Sequence, residues 1–260
     1  METLIVSSEL ISTYTPGDNA LKDRVVLITG AAGGLGSSIA KAASRLGCEL
    51  VLLDKHERGL NLLHDQIADD TGVQPGLYPL DLAGANMSDY DTLAETVDNT
   101  FGKLHGIIHC AATLGQVTPA VQIDIKHWLD TFNVNLHGPV MLTQALLPLL
   151  IKSSDASITF TFDDKQTAYW GAYGASKAAM LSWVNSLADE LDGMRDDNGH
   201  LPVRCNAINP GRMRTTLRSS AFPGEIPDEV PAPETKVNAY LYLLDDVSSN
   251  INRQLYTLPE

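Results

Sequence analysis

Val25 to Ile28 is a short β-branched run that ends in Thr29-Gly30-Ala31-Ala32-Gly33-Gly34-Leu35-Gly36. Behind it, Ile39, Ala42, Ala43 and Leu46 fall at the i, i+3, i+4, i+7 spacing of a helix face. Strand, glycine turn, helix is the stretch that most restricts what this chain can fold into. Glycines let the backbone turn sharply and approach a bound group with no Cβ in the way. The helix start offers free N–H groups and the positive end of a dipole. An anion suits such a turn, and directly after a first strand the arrangement points to the pyrophosphate of a dinucleotide, with Gly30, Gly33, Gly34, Leu35 and Gly36 as candidate contacts.

The rest of the chain repeats this rhythm. Short apolar runs at 25–28, 50–53, 76–80, 104–108, 157–161, 203–208 and 254–258 alternate with helical patterns at 35–46, 58–70, 87–101, 124–150, 167–191 and 234–244. Alternation of this kind is the mark of a parallel sheet. Strands that read as continuous apolar runs predict a sheet covered on both faces. The expected class is α/β, a doubly wound seven-stranded parallel sheet flanked by helices in one domain over 22–260, behind a polar lead over 1–21 that is ordered only in part. Asp189 to His200 reads as a solvated helix end and turn. The irregular 212–233 segment, with its prolines, reads equally as a surface loop or as a lid over a site.

Charge and cysteine content narrow the partners. Eighteen basic against 32 acidic side chains leave a formal charge of −14, which argues against nucleic acid and anionic membrane surfaces. The start lacks a signal-peptide pattern. The longest apolar stretch, Val140 to Ile151, is shorter than the roughly 20 residues that span a bilayer, and reads as a buried or interface helix. Cys48, Cys110 and Cys205 are far apart with no CxxC pair, which suggests neither a disulfide framework nor a zinc site and fits a reducing, cytoplasmic compartment.

The second strand ends at Asp54, eighteen residues after Gly36, near the offset at which a carboxylate meets the adenosine ribose. A carboxylate there accepts from two hydroxyls and repels a 2′-phosphate, so NAD is favoured. The neighbouring Lys55 keeps NADP open, since a cation can hold that phosphate; the lesser alternative for Asp54 is that it only caps the next turn. Further along, Tyr173 and Lys177 are four apart and share one helix face. A phenol near pKa 10 is a poor base at neutral pH, but a nearby ammonium favours phenolate, and such a pair can exchange a proton with an alcohol or carbonyl oxygen.

The glycine turn and Tyr173-x-x-x-Lys177 together resemble the short-chain dehydrogenase/reductase family, whose subunits of about 250 residues are close to the 260 here. The resemblance continues through Asp81-Leu82 after the third strand, Asn135 within Val134-Asn135-Leu136, and Asn209-Pro210-Gly211 with Thr215 beyond it. It implies a Rossmann fold and hydride transfer between a nicotinamide cofactor and an alcohol or carbonyl group of a small molecule. By the same resemblance Tyr173 is the general acid/base, Lys177 lowers its pKa and holds the nicotinamide ribose, and Asn135 completes a proton relay. Asp81 and Leu82 would meet the adenine, Ala111 would line the cofactor site, Pro210 and Gly211 would lie along the nicotinamide, and Thr215 would bond its carboxamide. The family's habit of pairing subunits through the long helix and the Tyr-Lys helix implies a homodimer or homotetramer.

Two positions depart from the family pattern. The Ser that usually precedes the Tyr is absent: counting about thirteen residues back from Tyr173 gives Phe160, whereas a loop about three residues shorter gives Asp163. An ionised Asp163 cannot donate a hydrogen bond and opposes phenolate formation. Thr161 or Thr167 could substitute for the Ser, or Asp163 could stay protonated in a dry pocket. After the fourth strand, the family's Asn-Ala-Gly is replaced by Cys110-Ala111-Ala112. Cys110 reads as a small hydrophobe and His109 as a core residue, neither as a nucleophile or ligand. The leading expectation is an oxidoreductase. The alternative is a dinucleotide-binding sensor or scaffold with degraded catalysis.

Overall fold

A computed structural model describes residues 7–153 and 155–259. Its centre is a seven-stranded sheet in the order β3-β2-β1-β4-β5-β6-β7, formed by β1 (Val25–Thr29), β2 (Glu49–Asp54), β3 (Gly76–Pro79), β4 (Gly106–His109), β5 (Ala156–Thr161), β6 (Val203–Asn209) and β7 (Leu255–Thr257). Every pairing is parallel, with Val26 opposite Leu50 on one side and Gly106 on the other. All five β1 residues are buried, because alternate side chains enter two different cores.

Val26 and Ile28 face the core under α2 (Gly34–Arg45), α3 (Glu57–Thr71) and α9 (Val237–Leu244), whereas Val25 and Leu27 face the one under α4 (Met87–Phe101), α6 (Gly138–Lys152) and α7 (Gly171–Asp192). The lead contributes to the first core over its described part. A one-turn helix, α1 (Ser8–Ser12), places Ile11 fully inside, and the Tyr14 hydroxyl donates to Asp245 at 2.5 Å. The lead is placed from Ser7 onward, and residues 1–6 lie outside the described residues.

The long helical pattern predicted over 124–150 forms α5 (Ile125–Phe132), a single π-helical stretch at Asn133–His137, and α6, without a break. By length and composition alone this 28-residue rod, longer than the Val140 to Ile151 stretch within it, is apolar enough to cross a membrane. Here it covers the sheet, with Leu142, Leu146 and Leu150 fully buried. The 212–233 segment contains α8 (Thr216–Ala221) and folds against itself through an Arg218–Glu225 ion pair, with the Arg218 guanidinium 3.8 Å from the Phe222 ring centre.

At the strand starts, opposite the carboxyl ends, Arg24, Asp155, Arg204 and Asp246 form one ionic cluster. Arg204 is fully buried and donates to Asp155 at 3.1 Å, while Arg24 reaches both Asp155 and Asp246.

Candidate active site

Strand order reverses between β1 and β4, and in open α/β sheets the crevice beyond the carboxyl ends at that point is where ligands bind. A cleft of about 600 Å³ opens there, running from the glycine turn past Asp81 and Ala111 to Tyr173 and Phe222.

The turn is built by contact between backbones. Gly30 has φ +64°, and a Cβ on it would sit 2.7 Å from the Ala111 nitrogen. A Cβ on Gly36 would press into the Gly30 carbonyl oxygen. The α2 N-cap, Gly33, has no side chain to satisfy the first helical N–H groups, so those of Gly34, Leu35 and Gly36 open toward the cleft that the same residues line. Across the turn the Ala111 N–H donates to the Thr29 hydroxyl at 3.1 Å, tying β1 to the chain leaving β4.

Asp54 lines the cleft but is only 8% exposed. Its carboxylate accepts from the Ala32 N–H at 3.1 Å and from the His56 N–H at 2.9 Å, so both oxygens are engaged in holding turns. The side chain that stands free in solvent beside it is Lys55. Asp81 likewise caps its own turn through the Ala83 N–H at 3.0 Å, with Leu82 buried behind it. Gly211 has φ +69° and its N–H is held by Asn209, which leaves Pro210 and Gly211 on the cleft wall. Thr215 also lines the wall, but its hydroxyl accepts from the Arg218 N–H as the N-cap of α8.

Tyr173 and Lys177 emerge from one face of α7, as their spacing requires. The Tyr173 hydroxyl donates to Asp163 at 3.3 Å, and the Lys177 ammonium donates to the Thr161 carbonyl oxygen at 2.9 Å. Asp163 is thus the residue beside the Tyr hydroxyl. Phe160 is fully buried and stacks on His109 with ring centres 4.4 Å apart, and the Thr161 hydroxyl turns away to Tyr240 at 3.0 Å. Burial, then the Asp163 charge and hydrogen bond, raise the Tyr173 phenol well above its ordinary value. Burial lowers Lys177 to about 8, against the opposing pull of Asp163. Burial also pushes the Asp163 carboxyl up, with Lys165 and Lys177 acting against it.

Asn135 lies inside the π-helical stretch, fully buried. Its side chain accepts from the Thr113 N–H at 2.8 Å and donates to the Thr113 carbonyl oxygen at 2.9 Å and the Ser176 hydroxyl at 3.1 Å. Sequence reading passed over Thr113 and Ser176; the latter stands next to Lys177 among small residues and shows no mark of its own. It also passed over the aromatic wall, in which the Trp170 ring lies 5.6 Å from that of Tyr173 and 5.7 Å from that of Phe222. Cys110 is pushed up to about 12 and His109 down to about 3 by burial, so both are neutral near pH 7.

The crevice thus lies at the reversal of strand order, with Tyr173 and Lys177 on one helix face at its inner end. Residues 24–225 match the model of the short chain dehydrogenases, and the chain belongs to that family. It is 37% identical to the uncharacterized oxidoreductase YciK of Escherichia coli K12 over 90% of this chain and 91% of that one. A solved structure from Pseudomonas syringae, 41% identical, superposes with a TM-score of 0.89 over 94% of this chain and 98% of the other. Another, from Escherichia coli CFT073 and complexed with NADPH, is 37% identical with a TM-score of 0.88 over 93% and 99% of the two chains.

Proposed function

We propose that this oxidoreductase moves a hydride between NADP(H) and the alcohol or carbonyl carbon of a small molecule, with Tyr173 handling the proton. The observation that carries the reading is the Tyr173 hydroxyl set beside Asp163 in the cleft that begins at the glycine turn. The residues fit a dinucleotide: Gly33 leaves the α2 N–H groups uncapped, and a side chain at Gly30 or Gly36 would collide with backbone that forms the turn. Gly34, Leu35 and Gly36 would hold the pyrophosphate, Asp81 and Leu82 the adenine side, and Lys177, Pro210, Gly211 and Thr215 the nicotinamide half. When bound, the cofactor supplies or accepts the hydride.

NADP is the better reading than NAD. Asp54, whose position favours NAD, has both oxygens engaged by backbone donors, whereas Lys55 presents a free cation at the rim. The related Escherichia coli CFT073 structure holds NADPH. The aromatic wall of Trp170 and Phe222, the second of them carried by the 212–233 segment, supports a substrate with a flat apolar part and a role for that segment as a lid. Exposed Ile125 and Leu129 on α5 support a homodimer or homotetramer, and three free thiols support a cytoplasmic setting.

One observation favours the second reading, a dinucleotide-binding sensor: Asp163 lies against the Tyr173 hydroxyl, where burial and then the carboxylate raise the phenol that would have to ionise. Titrating the protein with NADPH and NADH by fluorescence, then screening carbonyl substrates for loss of nicotinamide absorbance with Tyr173→Phe as control, separates the two. Turnover that vanishes in the Phe variant establishes the enzyme; tight NADPH binding without turnover establishes the sensor.

A further inference from the structure

We infer that the proton leaving the substrate alcohol ends on Asp163, handed there through the Tyr173 hydroxyl, so that this carboxylate, not a tyrosine phenolate, is the base of the site. The inference rests on the oxidoreductase reading above and gives the replaced serine position a different task. The Tyr173 hydroxyl already donates to Asp163 at 3.3 Å, slightly longer than the roughly 2.6–3.2 Å of a working proton transfer, as catalytic hydrogen bonds often are before substrate binds. Other acceptors are committed elsewhere. The Thr161 hydroxyl is turned to Tyr240, and its carbonyl oxygen holds the Lys177 ammonium, which lies 5.9 Å from the centre of the Tyr173 ring.

In alcohol oxidation the C–H bond breaks with its electron pair leaving as hydride to the oxidised nicotinamide. The hydroxyl proton moves to the Tyr173 oxygen while the proton of Tyr173 moves to Asp163. The products are a carbonyl compound, reduced cofactor, a neutral Asp163 and an intact Tyr173; Asp163 then releases its proton to water in the open cleft. Carbonyl reduction is the same sequence reversed, with neutral Asp163 reloading Tyr173. Because Tyr173 gains one proton as it loses another, no phenolate accumulates, and its raised pKa no longer opposes the chemistry.

The charged and titratable groups facing Asp163 are Tyr173 and Lys177 from α7 and Asp164 and Lys165 from its own loop. Cys110 and His109, at the end of β4 beside Lys177, are neutral near pH 7. Oxidation requires the carboxylate, so its rate falls as pH drops through the Asp163 pKa, which burial holds above the usual carboxylate range.

The first test needs no cofactor: ultraviolet titration of tyrosinate, with Tyr173→Phe subtracted to isolate Tyr173, in the wild type and in Asp163→Asn. We expect Tyr173 to ionise at lower pH in the Asn variant, and ionisation at an unchanged pH overturns the inference. The second follows oxidation of 2-propanol, cyclohexanol and 1-phenylethanol with NADP⁺ across pH for the wild type, Asp163→Asn and Asp163→Ser, NADPH binding serving as the check that each variant is folded. The expected result is an acid limb in the wild type, a loss of roughly 100-fold in the Asn variant, and a limb displaced to alkaline pH in the Ser variant. A limb at the same pH in wild type and Ser variant, or a Ser variant that turns over where the wild type does not, overturns the relay and leaves the oxidoreductase reading standing. Turnover by none of the three proteins despite NADPH binding overturns that reading, and the relay with it.

Discussion

Lys177 holds the Thr161 carbonyl oxygen at 2.9 Å from a side chain that is almost wholly enclosed. Burial lowers its pKa to about 8. Between about pH 8 and the ordinary lysine value the unfolded chain binds a proton that the folded protein has released, so this group makes stability rise with pH across that window. Below pH 8 the cost of keeping the ammonium buried is fully present, about 3 kcal/mol. Lys177→Met removes it. At pH 7 the cofactor-free variant is expected to melt a few degrees higher than the wild type, to converge with it at strongly alkaline pH, and to lose activity. Calorimetry at two pH values checks this, and a lower melting temperature at pH 7 would show that the bond to Thr161 outweighs the burial cost.

Gly36→Ala places a methyl against the Gly30 carbonyl oxygen, inside a turn whose other side is fixed by Ala111. Backbone cannot yield as a flexible side chain would, so the turn must open, at a cost of about 1–3 kcal/mol. NADPH affinity is expected to fall at least tenfold, with a measurable drop in melting temperature. Fluorescence titration and thermal melting read both effects, and unchanged affinity would remove the turn from the cofactor site.

Lys55 tests cofactor choice. Loss of one exposed charge-assisted contact to a phosphate weakens binding by about tenfold. Lys55→Ala is therefore expected to weaken NADPH by that factor at low salt, leave NADH nearly unchanged, and lose most of its effect as ionic strength rises. Equal losses for the two cofactors would argue that Lys55 does not meet the 2′-phosphate.

Asp155 joins β5 to the guanidiniums of Arg24 and Arg204. Burial pushes its carboxyl up, but Arg204 and Arg24 overcome this and hold it below the usual carboxylate range. A depressed carboxylate pKa contributes stability above the unfolded value and loses it as pH falls through the folded one. Wild-type stability should therefore fall below about pH 4. Asp155→Ala leaves Arg204 buried without its anion and should cost about 3–5 kcal/mol at pH 7, while flattening the acid limb. A urea denaturation series over pH checks both.

The glycine turn and the alternation of apolar runs with helical patterns were legible because each is local: neighbours in sequence determine the period and the turn. The four-residue spacing of Tyr173 and Lys177 is local in the same sense. Asp163 was harder to place, since the shorter loop between β5 and α7 left Phe160 and Asp163 both open until the strand register put Phe160 in the core opposite His109 and Ala207. The ionic cluster was invisible, because Arg24, Asp155, Arg204 and Asp246 meet only when the starts of three strands and a turn near the C-terminus come together. The roles of Asp54 and Thr215 were legible in type but not in direction: each residue lines the cleft, while its oxygens serve backbone N–H groups.

The π-helical stretch at Asn133–His137 holds one residue more per hydrogen-bonded turn than the α-helices on either side, as the Gly138 N–H bonding back to the Asn133 carbonyl oxygen shows. Deleting a single residue there would let the rod close into an uninterrupted α-helix with α6 still in phase, because five residues of π-helix turn the chain about as far as four of α-helix. Leu142, Leu146 and Leu150 would keep their places on the sheet, whereas Asn135, inside the stretch, would leave Thr113 and Ser176. The extra residue therefore serves the site and not the core: trimming it would spare the packing of the rod and cost the buried amide its partners.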